Sequence, residues 1–248
     1  MIRIDSVRKS FGSQVVLAGV DLEVTTGETV AVLGRSGSGK SVLLKQVARL
    51  LRPDSGVIFV GDVKMSHADK PTVMRARGSM GYVFQFAALF DSLTIGENVA
   101  LPLRRGGISG DGARTRVMEV LETVGLPDQA EHYPAELSGG MRKRAGIARA
   151  VVARPSYLLY DEPTTGLDPV TTAVIDELML QMKRDLRATS ILVTHDIQSA
   201  FRVADRVALL HAGRIRFAGT PDDVRGSDDP LVRAFVEGRQ ELWPPDSV

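Results

Sequence analysis

Gly34-Arg35-Ser36-Gly37-Ser38-Gly39-Lys40-Ser41 is a run of small residues closed by an amine and a hydroxyl, a spacing that suits phosphate chemistry. In such a loop successive backbone N–H groups point at one anion, and the helix that follows adds its positive end. The glycines allow close approach, Lys40 reaches the β- and γ-phosphates of a nucleotide, and the Ser41 hydroxyl ligates Mg²⁺, with Val42 completing the binding segment. Asp161 and Glu162 close the apolar run Leu158-Leu159-Tyr160, so both carboxylates are expected at a strand end beside the phosphates. Phosphoryl transfer asks little of a protein beyond positioning and charge. Asp161 then holds Mg²⁺ through water, and Glu162 polarises the attacking water. Gln85 follows another apolar run, Met80-Gly81-Tyr82-Val83-Phe84, and suits both the metal and the water. His195, after Ile191-Leu192-Val193-Thr194, can hydrogen-bond the γ-phosphate, although a lone histidine at a strand end is usually structural. The chemistry these residues support is Mg²⁺-dependent hydrolysis of a nucleotide's terminal phosphate.

The elements that must carry these groups follow from periodicity. Ile2/Ile4 and Val20/Leu22/Val24 alternate as in half-buried strands, with turns at Phe11-Gly12-Ser13 and Thr26-Gly27-Glu28. Thr29-Val30-Ala31-Val32-Leu33 is a short apolar run of the kind buried in a parallel sheet. The spacing of Leu43, Leu44, Val47 and Leu51 predicts a helix, stopped by Pro53-Asp54-Ser55-Gly56. Strand, glycine-rich loop and helix in that order are what make the motif a site. From about residue 90 to 153 the pattern turns helical, with Val117, Val120, Leu121 and Val124 on one face and a loop at Arg104–Gly112. Strand patterns return at Tyr157–Tyr160 and Ser190–Thr194, and Val207–Leu210 with Ile215–Ala218 read as a closing hairpin. The expected fold is α/β: a nucleotide-binding core with an N-terminal antiparallel β subdomain and an inserted helical subdomain. Residues 1–226 form the ATPase domain in this reading, with the helical insert at about 90–153 and a C-terminal extension at 227–248.

Bulk properties exclude little and suggest few partners. A length of 248 residues suffices for one large α/β domain, and 44% apolar with 25% charged residues is ordinary globular composition. A net charge of +1 gives no argument for a nucleic-acid partner. The absence of cysteine excludes disulfides and a thiolate metal site and fits a reducing compartment. The start, Met1-Ile2-Arg3-Ile4-Asp5, lacks the apolar core of a signal peptide, and no apolar run reaches bilayer-spanning length.

Leu137-Ser138-Gly139-Gly140-Met141 lies between the phosphate loop and the acidic strand end. Alone, Ser138-Gly139-Gly140 is a capped helix start, a common feature. The three motifs in this order resemble the ATPase subunit of an ABC (ATP-binding cassette) machine, over nearly the whole chain from Phe11 to about Gly219. The resemblance implies a P-loop NTPase (RecA-like) core, and that Ser138, Gly139 and Gly140 contact ATP held on a neighbouring copy's loop. Two composite sites would then lie at an isologous dimer interface, and a monomer would barely hydrolyse ATP. The spacing of His195 after Glu162 matches the family's switch histidine. Gly166-Leu167-Asp168 resembles the loop by which the two sites sense each other. Phe11 matches the aromatic that stacks on adenine, with Val16 beside it, which implies weak discrimination against GTP.

One departure from the common pattern is Met141, where most members have Gln. With Arg142-Lys143-Arg144-Ala145, and with the segments Phe84–Phe90, Asn98–Arg104 and Asp229–Phe235, it resembles the Mla/MCE-associated branch, which powers phospholipid or other lipid transport. A second departure, Thr165, carries no evident mechanism at this level. The resemblance implies an ATPase peripheral to the cytoplasmic face of the inner membrane, working with integral permease subunits. An MCE-type lipid-binding protein and a small regulatory subunit are further partners it admits. Phe86, Leu89, Phe90 and Leu93 would line the groove for a permease helix, Leu89 and Phe90 foremost, while Trp243 near the C-terminus would dock on a neighbouring chain. The rival readings are the ATPase of a polar-solute importer for amino acids or ions, which shares every catalytic residue, and a nucleic-acid-associated ABC ATPase. The latter lacks support, there being one cassette, no heptad insertion and no basic bias. A soluble kinase on the same loop leaves Leu137–Gly140 unexplained.

Overall fold

The computed structural model describes residues 1–238, so the Trp243 docking expectation lies outside the described residues. In chain order the elements begin β1 (Ile2–Phe11), β2 (Gln14–Val24), β3 (Thr29–Leu33), α1 (Lys40–Val47), β4 (Ser55–Val60), β5 (Val63–Lys64) and α2 (Lys70–Gly78). They continue with β6 (Met80–Val83), α3 (Ile95–Arg105), α4 (Asp111–Thr123), α5 (Gly139–Val151), β7 (Tyr157–Asp161) and α6 (Pro169–Leu186). The last are β8 (Thr189–Thr194), α7 (Ile197–Val203), β9 (Arg206–His211), β10 (Arg214–Gly219), α8 (Pro221–Arg225) and α9 (Pro230–Val236). They divide into two compact units, Met1–Val73 with the residues from Thr189 onward, and Met74–Ala188.

In the first unit β1, β2, β4 and β5 form an antiparallel sheet in the order β2-β1-β4-β5. Ile2 pairs with Val24 and Ile4 with Leu22. These four are buried on one face, as their alternation in sequence requires. The same unit carries β3 between β8 and β9, parallel to both, with β10 antiparallel beyond β9. Every residue of β3 and β8 is buried, which is why both read as continuous apolar runs. The β9–β10 turn is anchored on β2: Gly213 accepts the Ala18 N–H at 2.8 Å. Gly213 has φ +67°, and a Cβ there would lie 2.7 Å from the Ala18 nitrogen. The segment beyond Ser227 is structured as far as α9, which Asp229 caps and whose Leu231, Val232 and Ala234 are buried.

In the second unit β6 and β7 run parallel, with Gly81 opposite Leu158 and Val83 opposite Tyr160. Helix α5 crosses them closely, since a Cβ on Gly81 would come within 2.3 Å of the Ala150 carbonyl. Ile95, Val99 and Leu103 of α3 and Val117 and Leu121 of α4 are buried core residues of this unit, each contributing about 1.5–3 kcal/mol of burial. A capping box, Thr94 with Glu97, fixes the start of α3. Helix α3 runs through Arg105 and α4 starts at Asp111, so the connecting loop is shorter than composition alone predicts.

Candidate active site

The phosphate loop leaves β3 and enters α1, as expected. Gly34 cannot carry a side chain: a Cβ would stand 2.6 Å from the Leu210 carbonyl and 2.8 Å from Ser38 Oγ. Gly39 has φ +100° and abuts Leu17 and Val16 of β2 at 2.9 and 3.0 Å from the same hypothetical atom, so the loop rests on the antiparallel sheet. The Lys40 ammonium is 5% exposed and donates to the Gly34 and Arg35 carbonyls at 2.8 and 3.0 Å. Ser38 Oγ is buried with no hydrogen-bond partner among the described residues. A buried hydroxyl left unsatisfied is costly, and a phosphate in the loop would satisfy it, so these residues fit a nucleotide. Arg35, Ser36 and Gly37 are exposed, and Ser41 and Val42 half-buried in the first turn of α1. Thr194 pairs with Leu33, so His195, exposed, and Gly34 leave adjacent parallel strands at the same end, where α/β sheets bind ligands. Val16 touches the loop, as above, and Phe11 is 49% exposed, with Lys9 Nζ 5.4 Å from its ring centre.

The other predicted residues belong to the second unit. Strand β6 stops at Val83, two residues short of Gln85, which lies in the turn beyond it. The pairing of Val83 with Tyr160 nevertheless sends Phe84-Gln85 and Asp161-Glu162 out at one end. Asp161 is 5% and Glu162 8% exposed. The Tyr82 hydroxyl donates to Asp161 Oδ2 at 2.9 Å. Burial, then the Asp161 charge, raises the Tyr82 hydroxyl above its ordinary range, so it stays a donor. Glu162 has φ +49°, and Thr165 Oγ1 donates to its Oε2 at 3.0 Å.

Three residues that tie this site together escape the sequence reading. Lys143 is 8% exposed, and its ammonium donates to the Gln85 carbonyl and, at 3.4 Å, to the Glu162 carbonyl. Burial lowers its pKa, opposed by the nearby Glu162. Arg149 donates to the Ala88 and Ala87 carbonyls at 2.7 and 2.6 Å, holding both alanines in the left-handed region at φ 50° and 59°. Asn98, fully buried, accepts the Phe90 N–H at 2.7 Å and donates to the carbonyls of Phe90, Leu93 and Thr94. Arg144 donates to the Val124 and Gly125 carbonyls at 2.9 and 2.7 Å. Of the basic cluster after Gly140, Lys143 and Arg144 are thus struts to distant carbonyls, while Arg142 is exposed and donates to the nearby Leu137 carbonyl. A lysine or arginine one to three turns into an otherwise small, apolar helix was the available signal.

Ser138 caps α5 by accepting the Met141 N–H at 3.3 Å. Gly139 has open space around it, whereas a Cβ on Gly140 would meet Thr171 Cγ2 of α6 at 2.7 Å. Asp168 caps α6, accepting from the Val170 and Thr171 N–H groups and the Thr171 hydroxyl, and those bonds, the Thr171 hydroxyl first, lower its pKa. Gly140 and the Asp168 cap therefore meet at one place. Of the expected docking residues, Phe86 and Phe90 are 82% and 55% exposed, while Leu89 and Leu93 are half-buried.

The family model described as "ABC transporter" matches residues 17–165. A methionine import ATP-binding protein MetN of Rhodopseudomonas palustris (strain BisA53) is 44% identical over 99% of this chain and 68% of its own length. A probable ribonucleotide transport ATP-binding protein, mkl, of Mycobacterium leprae (strain TN) is 39% identical over 96% of this chain and 67% of its own. The chain thus spans about two thirds of the length of the curated relatives it matches. The ATP-binding cassette MJ0796, solved as a dimer in a post-hydrolysis state with ADP and Pi, superposes with TM-score 0.82 at 34% identity, covering 89% of this chain and 99% of its own. The expected α/β architecture, with its antiparallel layer and helical insert, is the one shared.

Proposed function

Because the chain belongs to the ABC transporter family of Mg²⁺-dependent, ATP-hydrolysing cassettes, we propose that it is the motor subunit of a membrane transport complex. ATP is held by residues 34–42, with Phe11 and Val16 at the adenine and Ser41, Gln85 and Asp161 serving Mg²⁺. Glu162 polarises the attacking water and His195 bonds the γ-phosphate. The observation that carries this reading is the joint exit of Gln85, Asp161 and Glu162, with Lys143 bonded to two of the three main chains. That lysine lies one turn into the helix that Ser138-Gly139-Gly140 begins.

Ser138, Gly139, Gly140 and Asp168 serve ATP on a second copy, a reading supported by the dimeric state of the similar cassette. ATP contacts both copies and clamps them; hydrolysis removes those contacts. Among the described residues no helix is long and apolar enough to cross a membrane. The chain meets the membrane through a separate permease, whose cytoplasmic helix docks at Leu89 and Phe90, with the exposed Phe86 beside them. Residues 1–226 act as the ATPase domain, with the helical insert as the docking part.

Similarity to methionine import ATPases favours a small polar solute as cargo, moved inward. A second reading, lipid transport, rests on the likeness of the Met141-Arg142-Lys143-Arg144 segment to the Mla/MCE-associated branch. Recovering the complex from detergent-solubilised membranes by a tag on this chain separates the two. A permease with a solute-binding protein and no lipid supports the importer. A permease with an MCE-type partner and bound phospholipid overturns it in favour of lipid transport, and no permease at all overturns both.

A further inference from the structure

We infer that Thr165 is a positioning residue for hydrolysis, fixing the carboxylate that polarises the attacking water; this rests on the reading of Glu162 given above. Glu162 has φ +49° and precedes Pro163. A non-glycine residue rarely adopts the left-handed region, and a residue before proline is pushed toward extended backbone. Such a conformation persists where its surroundings over-determine it. Here the Thr165 N–H donates to the Glu162 carbonyl at 3.3 Å, and Lys143 Nζ donates to the same carbonyl at 3.4 Å. Those two contacts hold the main chain. The side chain is held separately, by the Thr165 hydroxyl on Oε2 at 3.0 Å.

A glutamate has a long, rotatable side chain, and a general base works only when its oxygen is within hydrogen-bond reach of the water it activates. A donor fixed on one oxygen removes much of that freedom before the substrate arrives. Threonine suits the task because its β-branch restricts χ1 and so aims the hydroxyl. Its place in the chain adds a second consequence. Thr165 directly precedes Gly166-Leu167-Asp168, where the Leu167 N–H closes on the Thr164 carbonyl at 3.2 Å and Asp168 caps α6. A shift of that loop is passed through the hydroxyl to the Glu162 carboxylate.

The test compares Thr165→Val, which keeps the shape and removes the hydroxyl, with Thr165→Ser, which keeps the hydroxyl, in the full chain and its recovered complex. Each is made with Glu162 intact and in a Glu162→Gln background, with turnover and nucleotide affinity both measured. Thr165→Val should cut kcat about tenfold or more, the range for a hydrogen bond to a charged group, and leave ATP affinity within about twofold. Thr165→Ser should recover most of that rate. In the Glu162→Gln background Thr165→Val should add no further loss, because the oriented carboxylate is already gone. An unchanged kcat in Thr165→Val, or the same fold loss in both backgrounds, would overturn the inference. Normal turnover in Glu162→Gln alone would instead remove the reading of Glu162 on which it rests.

Discussion

The phosphate-loop region and the acidic region of this molecule are held together in opposite ways. Around Gly34–Ser41 the constraints are main-chain ones: glycines with no room for a Cβ, carbonyls capped by Lys40 five and six residues away, and parallel strand ends. Around Gln85, Asp161 and Glu162 they are long side chains reaching from distant sequence. Lys143 lies 58 residues from Gln85, Arg149 lies 61 from Ala88, and Tyr82 lies 79 from Asp161. The first construction rests on close approach of the loop glycines to β2 and β9. The second depends on α5, so the helix that begins with Ser138 cannot shift without disturbing the main chain of Gln85 and Glu162.

Substitutions can break this contrast. Lys40→Ala should lower ATP affinity by about 10–100-fold, the loss of a charge-assisted contact, read by titrating a fluorescent nucleotide. Lys143→Met should do the reverse: affinity within about twofold, turnover down about tenfold, since it removes struts to Gln85 and Glu162 and touches no phosphate. If Lys143→Met weakened ATP binding as strongly as Lys40→Ala, the two regions would not be separable. The smallest effect on the nucleotide belongs to Phe90→Asp. Phe90 is exposed while its main chain is pinned by Asn98, so ATP binding should be unchanged and recovery of the permease with the tagged chain should fail. Loss of ATP binding in that variant would make Phe90 a core residue.

The same contrast explains what could be read in advance. The strand, loop and helix around Gly34 are encoded within about twenty residues, and their spacing alone predicted them. The β9–β10 hairpin and the all-buried β3 and β8 were legible for the same reason: local pattern and local structure agree. Helix α1 ends at Val47 rather than near Leu51, and β6 ends at Val83 rather than Gln85, because apolar periodicity continues past the last main-chain pairing. Lys143, Arg149 and Asn98 were not legible. A charged or polar residue on a helix reads as solvent-facing unless the distant carbonyl that accepts from it is known. In the sequence Thr165 is only a departure from the common pattern; its contact depends on the turn at Glu162, which brings its hydroxyl back to the carboxylate.

Glu162→Gln tests most directly the proposal that Glu162 polarises the water attacking ATP held between two copies of this chain. With Mg²⁺ and ATP the variant should bind nucleotide, lose about 10²–10⁴-fold in turnover as expected for removal of a general base, and sediment as a dimer that reverts to monomer when ATP is withdrawn. A variant that stays monomeric with ATP bound, or that turns over at the wild-type rate, would contradict the account.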